Sequence, residues 1–167
     1  MTSPERFEAA LESIEEELND RSKWFAKQGK ELERYRLEQK TEYDLEMLRE
    51  IGHCQSVENY SLHFDGREPG QRPYCLLDFF AACANQFHGD PKKYLVIMDE
   101  SHVSLPQVGG MYHGDRSRKE SLITHGFRLP TAADNRPLKL PEFQSLVPQM
   151  VYVSATPGER ELRHLCE

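Results

Sequence analysis

Long apolar runs are missing from this sequence: no stretch approaches the roughly 18 consecutive apolar residues that a membrane-crossing helix needs, so the chain reads as soluble and globular with no membrane partner. The first residues, Met1-Thr2-Ser3-Pro4-Glu5-Arg6, have neither the basic start nor the apolar stretch of a secretory signal, and a cytoplasmic location is expected. Paired cysteines are missing as well. Cys54, Cys75, Cys83 and Cys166 form no Cys-x-x-Cys pair, so they read as scattered reduced thiols; a metal cluster drawn from His53, Cys54, Cys75, Cys83 and His88 matches no zinc module in spacing. Positive charge is in deficit, with 21 Lys and Arg against 28 Asp and Glu and a net charge of -7. That balance excludes a chain that grips nucleic acid by bulk electrostatics, so any such contact must be local or shared with another segment. Finally, no Gly-x-x-x-x-Gly-Lys-Ser/Thr occurs. Gly29-Lys30 lacks both the earlier glycine and the following hydroxyl residue, so a phosphate cradle of this type is absent from the sequence.

What is present begins with helix. From Pro4 to about Ile51 the only breaker is Gly29, and Glu, Lys, Arg and Leu dominate. Ser3 suits the N-cap with Pro4 at the first helical position, and Phe7, Leu11, Ile14 and Leu18 recur along one face. Gly29 is expected to end or bend this helix, after which Leu32, Tyr35 or Arg36, Leu45 and Leu48 mark a second, less regular stripe. Residues 1–52 therefore form a helical segment, expected as a pair, whose charged face is either simply solvated or binds a partner. Residues 53–93 read as a loop-rich connector with short buried elements, punctuated by Gly52, Gly66, Pro69, Gly70 and Pro73. Within it Tyr74-Cys75-Leu76-Leu77-Asp78-Phe79-Phe80 suits a buried helix or strand equally.

Residues 94–167 change to an α/β pattern. Tyr94-Leu95-Val96-Ile97-Met98 and Met150-Val151-Tyr152-Val153 are short continuous apolar runs, as expected of parallel strands covered on both faces. Between them lie an expected turn at Gly109-Gly110, a basic stretch at Arg116-Ser117-Arg118-Lys119 and an irregular segment from Gly126 to Pro148. Ligands of open α/β sheets bind outside the carboxyl ends of strands, and polar residues stand there after both runs. Asp99 and Glu100 suit a nucleotide site in which one acid holds magnesium and the other positions or deprotonates water. An isolated Asp-Glu is better explained as an exposed loop start. His102 and the later Ser154-Ala155-Thr156 change that reading, because Asp-Glu-x-His after one strand and Ser-Ala-Thr after another, in this order, are the second and third motifs of helicase-type motors. The hydroxyls of the Ser-Ala-Thr turn can bond the acidic motif and so link a nucleotide site to a nucleic-acid side.

Longer strings make the likeness more specific. Arg36-Leu-Glu-Gln-Lys-Thr-Glu-Tyr-Asp-Leu-Glu-Met47, Val57-Glu-Asn-Tyr-Ser61, Asp99 through Gln107, Gly110 through Lys119, Gly126-Phe-Arg-Leu-Pro130, Asp134-Asn-Arg-Pro-Leu138 and Tyr152 through Gly158 together resemble the B-subunit family of the bacterial UvrABC excision nuclease, over nearly the whole chain. The resemblance implies part of a RecA-like helicase motor domain with a parallel sheet, preceded by a helical subdomain. It implies a DNA-damage-verifying, ATP-dependent subunit of nucleotide excision repair, with ATP and Mg2+ as cofactors and with damaged DNA and excision nuclease subunits A and C as partners. By motif match Asp99 and Glu100 take the magnesium and catalytic-acid roles, His102 the coupling role, and Ser154 and Thr156 the third-motif role. Arg116, Arg118 and Lys119 receive no family role; they are either a solvated basic loop or a contact to DNA or an interdomain phosphate.

The sequence departs from the family in carrying no phosphate loop, no DNA-clamping β-hairpin and no second motor domain, so the chain alone is expected to be inactive as an ATPase. Ala81 to Lys93 is longer than usual, and Leu62 stands where a basic residue is expected. The competing reading is a non-enzymatic helical interaction module derived from a superfamily-two helicase, in which the acidic motif is a relic.

Overall fold

The computed structural model describes residues 3–164; Cys166 lies outside the described residues. Helices dominate, and the chain divides into two compact units, one formed by residues 1–73 and 115–136, the other by 74–114 and 137–167.

The first unit is built on the expected helical pair, α1 (Pro4–Lys27) and α2 (Glu31–Ile51). Ser3 caps α1, its hydroxyl accepting the Arg6 N–H at 3.4 Å, and Gly29, at φ +70°, turns the chain between the helices. Leu11, Ile14, Leu18 and Phe25 of α1 are buried against Leu37, Leu45 and Leu48 of α2, with Cys54, Tyr60 and Leu129 completing the core. The stripe on α2 differs from the expected one. Leu32 and Tyr35 are exposed, and the buried positions are Leu37, Thr41, Asp44, Leu45 and Leu48. Two polar members hid this stripe from a hydrophobicity pattern. Asp44 is tolerated inside because Lys40 pairs with it and the Tyr60 hydroxyl donates to it at 2.7 Å. Arg36, the alternative to Tyr35, donates to the His125 carbonyl at 2.8 Å and lies over the Phe127 ring.

The connector supplies a 3-10 turn at Val57–Tyr60 and the short helix α3 (Ser61–Asp65), in which Leu62 is buried. Several family-like strings turn out to be anchors here. Arg67, almost wholly buried, donates to Asp65, to Ser61 Oγ and to the carbonyls of Gln71 and Asp134. Asp134 also accepts the Gly70 N–H at 2.9 Å. His63, Glu17 and Thr131 form a second partly buried cluster, in which Glu17 accepts from the Thr131 N–H and hydroxyl.

The second unit holds α4 (Leu76–His88), β1 (Val96–Met98), the start of α5 (Ser101–Thr124), α6 (Leu140–Leu146), β2 (Met150–Tyr152) and α7 (Glu159–His164). The ambiguous run beginning at Tyr74 is helical from Leu76, and the lengthened stretch from Ala81 continues that helix to His88 before Gly89 closes it at φ +68°. Burial was expected here and is not found: Ala84 is the one buried residue of α4, and Leu76, Phe79, Phe80 and Phe87 are exposed. The expected turn at Gly109-Gly110 is also corrected, since both glycines lie within α5. A Cβ on Gly109 would make only ordinary contact with Leu140 of α6, at 3.7 Å, so the packing there does not require glycine.

Both expected strands form and pair in parallel, Val96 with Met150, Ile97 with Val151 and Met98 with Tyr152. They are shorter than the apolar runs and are not covered on both faces, for Ile97 is 65% exposed and Val151 44%. Among the described residues the sheet has two strands.

Candidate functional site

The parallel register decides which polar residues meet. Hydrogen bonding continues past the strands: the Val153 N–H donates to the Met98 carbonyl at 2.9 Å, and the Ser101 N–H donates to the Val153 carbonyl at 3.1 Å. The segment after β1 and the segment after β2 are thereby laced side by side at the carboxyl end of the sheet. Asp99, Glu100 and His102 on one and Ser154 and Thr156 on the other are separated by more than fifty residues in sequence and adjoin in space.

The turn after β1 is tightly specified. Asp99 Oδ1 accepts the Glu100 N–H at 2.9 Å, and the Asp99 carbonyl accepts the Ser104 hydroxyl at 3.0 Å. Glu100 sits at φ +47°, in the left-handed region that a side chain enters only at a cost of about 1–3 kcal/mol. Its carbonyl then accepts the N–H groups of Val103 and Ser104, both at 2.9 Å, which opens α5. The strained residue is thus the pivot between strand and helix, and its carboxylate is left 61% exposed while the backbone around it is fixed.

His102 is the junction. Its Nδ1 lies 2.7 Å from Ser154 Oγ and 3.4 Å from Glu100 Oε2, and its Nε2 lies 3.3 Å from Thr156 Oγ1. Ser154 Oγ also accepts the Thr156 N–H at 3.1 Å, which leaves its own hydroxyl proton for the imidazole. With the ring proton on Nε2, both hydroxyl contacts are satisfied: Ser154 donates to Nδ1, and Nε2–H donates to Thr156. A carboxylate, an imidazole and two hydroxyls therefore form one connected chain.

Glu161 was not singled out by sequence and adjoins this chain. Its Oε2 accepts the Gly158 N–H at 2.9 Å, and only 9% of the residue is exposed. Its own backbone N–H, followed by the Ser101 hydroxyl, the Gly158 N–H and the nearby His102, holds this carboxyl below the usual range against the opposing effect of burial. Ser101 is wholly buried and faces Glu161 without a hydrogen bond of ordinary geometry. A local Gly-x-x-Glu spacing was the available sequence signal, and it is too common to select Glu161.

The basic residues fall elsewhere, in the first unit. Arg116 pairs with Glu120 at 2.7 Å and Arg118 with Asp115 at 3.0 Å, both on exposed helix surface. Lys119 is buried, bound to Asp115 at 2.9 Å and to the Asn135 carbonyl. Burial pushes the Asp115 carboxyl up, but Lys119 and Arg118 outweigh it and hold its pKa down. Lys119 is thus engaged in fixing the Asp134-Asn135 corner.

The donor set suits magnesium as half of a site. Mg2+ takes hard oxygens, keeps several waters and typically uses one or two protein carboxylates together with phosphate oxygens. Asp99 fits: the Glu100 N–H occupies Oδ1 and orients the group, leaving Oδ2 as an acceptor. Among the described residues no cluster of three or more His, Cys, Asp or Glu is arranged to hold a metal by itself.

Comparison with known proteins agrees with the strings that carry the resemblance. Residues 5–66 match the family model described as UvrB third helical domain. The chain is 55% identical over 98% of its length to UvrABC system protein B of Carboxydothermus hydrogenoformans, and 56% identical over 99% to that of Symbiobacterium thermophilum. The protein of the same name from Lactococcus lactis is 55% identical over 97% of the chain. The chain belongs to the UvrB family. It spans 22–24% of the length of these relatives.

Proposed function

We propose that this chain is a segment of the DNA-damage-verifying, ATP-dependent subunit of bacterial nucleotide excision repair, and that its second unit is part of a RecA-like motor domain. In this reading Asp99 orients magnesium, Glu100 positions and deprotonates the attacking water, and His102, Ser154 and Thr156 couple the nucleotide site to DNA. The observation that carries it is the His102 imidazole, held by Ser154 and Thr156 on opposite nitrogens with Glu100 at 3.4 Å. Bound magnesium would neutralise charge developing on the transferring phosphate. The protein's own part is positional: the strained Glu100 backbone aims a carboxylate outward, and the N–H of Glu100 keeps Asp99 in one rotamer. A change in the Ser154-Thr156 turn would alter the hydrogen bonding of His102 and, through it, the setting of Glu100. DNA engagement at the turn and water activation at the acid are coupled in this way.

ATP and Mg2+ are the cofactors of the intact protein in this reading, damaged DNA and excision nuclease subunits A and C its partners, and the cytoplasm its location. No described helix is long and apolar enough to cross a membrane. The test is Glu100→Gln in the full-length protein, which keeps the side chain's shape and removes its basicity. ATP turnover is expected to fall by about 100-fold or more, with loss of stable loading on damaged DNA. Turnover and loading at the unsubstituted level would favour the second reading, a helical interaction module. What supports that alternative is the self-contained core of α1 and α2, which uses none of the acidic-site residues.

A further inference from the structure

A net charge of -7 leaves room for nucleic-acid contact only where cations gather locally, and the turn that closes the helical pair of the first unit is such a place. From Arg21 to Lys30 there are four cations, Arg21, Lys23, Lys27 and Lys30, and no carboxylate. The negative end of the α1 dipole accounts for Lys27 in the last turn, but not for Arg21 and Lys23 before that turn or for Lys30 beyond it. The fold gathers them around one ring. The Arg21 guanidinium lies 4.0 Å from the centre of the Trp24 ring and 4.7 Å from that of Phe25. The Lys30 N–H donates to the Phe25 carbonyl at 3.0 Å, which folds the chain back and leaves the Lys30 ammonium 6.0 Å from the Trp24 ring. Trp24 is 41% exposed, and Lys23 and Lys27 are exposed as well.

These cations lack the partners that others have. Arg34, Arg49, Arg116 and Arg118 each pair with a carboxylate. Among the described residues the side chains of Arg21, Lys27 and Lys30 have neither an ion pair nor a hydrogen bond, Arg21 Nε being buried without an acceptor, and Lys23 reaches Asp20 only at 3.6 Å between two exposed groups. Glu17, whose charge acts on Arg21, is bound instead to His63 and Thr131. Packed against two rings, the guanidinium is already oriented, so it loses little freedom when an acceptor arrives.

We propose that the closed end of the helical pair, Arg21 to Lys30, is a contact for the phosphate backbone of DNA, with Arg21, Lys27 and Lys30 taking phosphate oxygens and Trp24 holding Arg21 in place. Unpaired cations around one aromatic ring suit a strand whose negative charges recur at short intervals, and the contact reads no base sequence. The inference rests on the reading of this chain as part of a DNA-repair subunit, and it is independent of the roles given to Asp99 and Glu100.

The test is titration of a labelled single-stranded oligonucleotide of mixed sequence with the full-length protein, followed by fluorescence anisotropy over a series of salt concentrations, with thermal unfolding in parallel. Lys27→Glu with Lys30→Glu is expected to weaken binding at least about ten-fold at low salt and to make the plot of log affinity against log salt shallower by about 1.4, the share of two phosphate contacts on a single strand. Arg21→Ala is expected to weaken binding about five-fold, and Arg21→Lys, which keeps the charge without the planar fork, by less. Arg116→Glu with Arg118→Glu makes the same change in net charge at cations already held by carboxylates, so a change within about two-fold is expected there. Unchanged affinity and slope in the Lys27 and Lys30 variant, or an equal loss in the Arg116 and Arg118 variant, would overturn the proposal. A glutamate-rich peptide that displaces the oligonucleotide from the unsubstituted protein but not from the Lys27 and Lys30 variant would overturn it in favour of an acidic protein partner. If the Glu variant does not fold, Lys27→Gln with Lys30→Gln decides by the same slope. ATP turnover without DNA, expected to be unchanged by these substitutions and lost in Glu100→Gln, separates failure of this contact from failure of the ATP-site assignment.

Discussion

At the scale of single residues, environment separates side chains of the same type. Cys54 is buried in the first unit, and burial, with Asp44 nearby, pushes its thiol up to about 11, whereas Cys83 is exposed. The thiolate is the reactive form, so at neutral pH Cys83 is expected to react promptly with an aromatic disulfide reagent and Cys54 only as the first unit unfolds. Thiol release followed with and without denaturant checks this. The same shift has a sign for stability. A thiol whose folded pKa is raised keeps its full contribution below the unfolded value of 9.0 and loses it as pH rises towards 11, because the unfolded chain ionises first. Tyr60, raised by burial and by Asp44, acts in the same direction above its ordinary value of 10.0. The denaturation midpoint of the first unit is expected to hold constant through neutral pH and fall progressively above about pH 9. A midpoint that stays level to pH 11 would contradict the burial of both groups.

At this scale the sequence was informative where a residue type had one chemical use and silent where the use depended on a fold. Asp99, Glu100, His102, Ser154 and Thr156 stood out because they make up an Asp-Glu-x-His and a Ser-Ala-Thr motif placed after two apolar runs. Glu161 did not, since its place beside them depends on a carboxylate folding back to the Gly158 N–H. Lys119 looked like its exposed neighbours Arg116 and Arg118 in a basic string. Helical periodicity put it on the buried side, against Asp115 and the Asn135 carbonyl.

Among the elements, glycines show how backbone and packing decide separately. Gly126 has φ +72°, and a Cβ there would overlap the Glu33 carbonyl, where Arg36 already ties the His125 carbonyl to α2. Gly126→Ala is expected to destabilise the first unit by more than about 1–2 kcal/mol, the cost of the left-handed conformation alone, with the overlap adding to it. Gly110 lies inside α5 with nothing near its added Cβ, so Gly110→Ala is expected to stabilise the second unit by about 0.5–1 kcal/mol. Denaturant midpoints of the two variants, measured side by side, should move in opposite directions. The Gly109-Gly110 pair reads as a turn by propensity, yet α5 continues through it, because tertiary packing overrides a weak local preference. The helical pair was legible because its stripe on α1 is apolar. On α2 the stripe runs through Thr41 and Asp44, which no hydrophobicity pattern marks as interior.

For the whole molecule, the second unit carries apolar surface that it does not cover. Leu76, Phe79 and Phe87 of α4 and Ile97 and Val151 of the sheet are exposed, although their sequence pattern is that of buried elements. Strand identity and parallel pairing could be read from the apolar runs, but coverage could not, since it depends on what packs against the sheet. The sequence also has no phosphate loop, and Asp99 has no lysine or hydroxyl of that motif to complete a magnesium-nucleotide site. The 167-residue chain by itself is therefore expected to hydrolyse no ATP above buffer, with or without DNA; DNA-stimulated phosphate release by the purified chain would contradict this.

In the proposed function the hydroxyls after β2 govern the acids after β1 through His102. The measurement that bears on it most directly is the stimulation of ATP turnover by damaged DNA in the full-length protein carrying Ser154→Ala and Thr156→Ala together. ATP is expected still to bind with KM within about two-fold and turnover without DNA to persist, while stimulation by damaged DNA is lost. Stimulation equal to that of the unsubstituted protein would show that the hydrogen bonds from Ser154 and Thr156 to His102 carry no coupling.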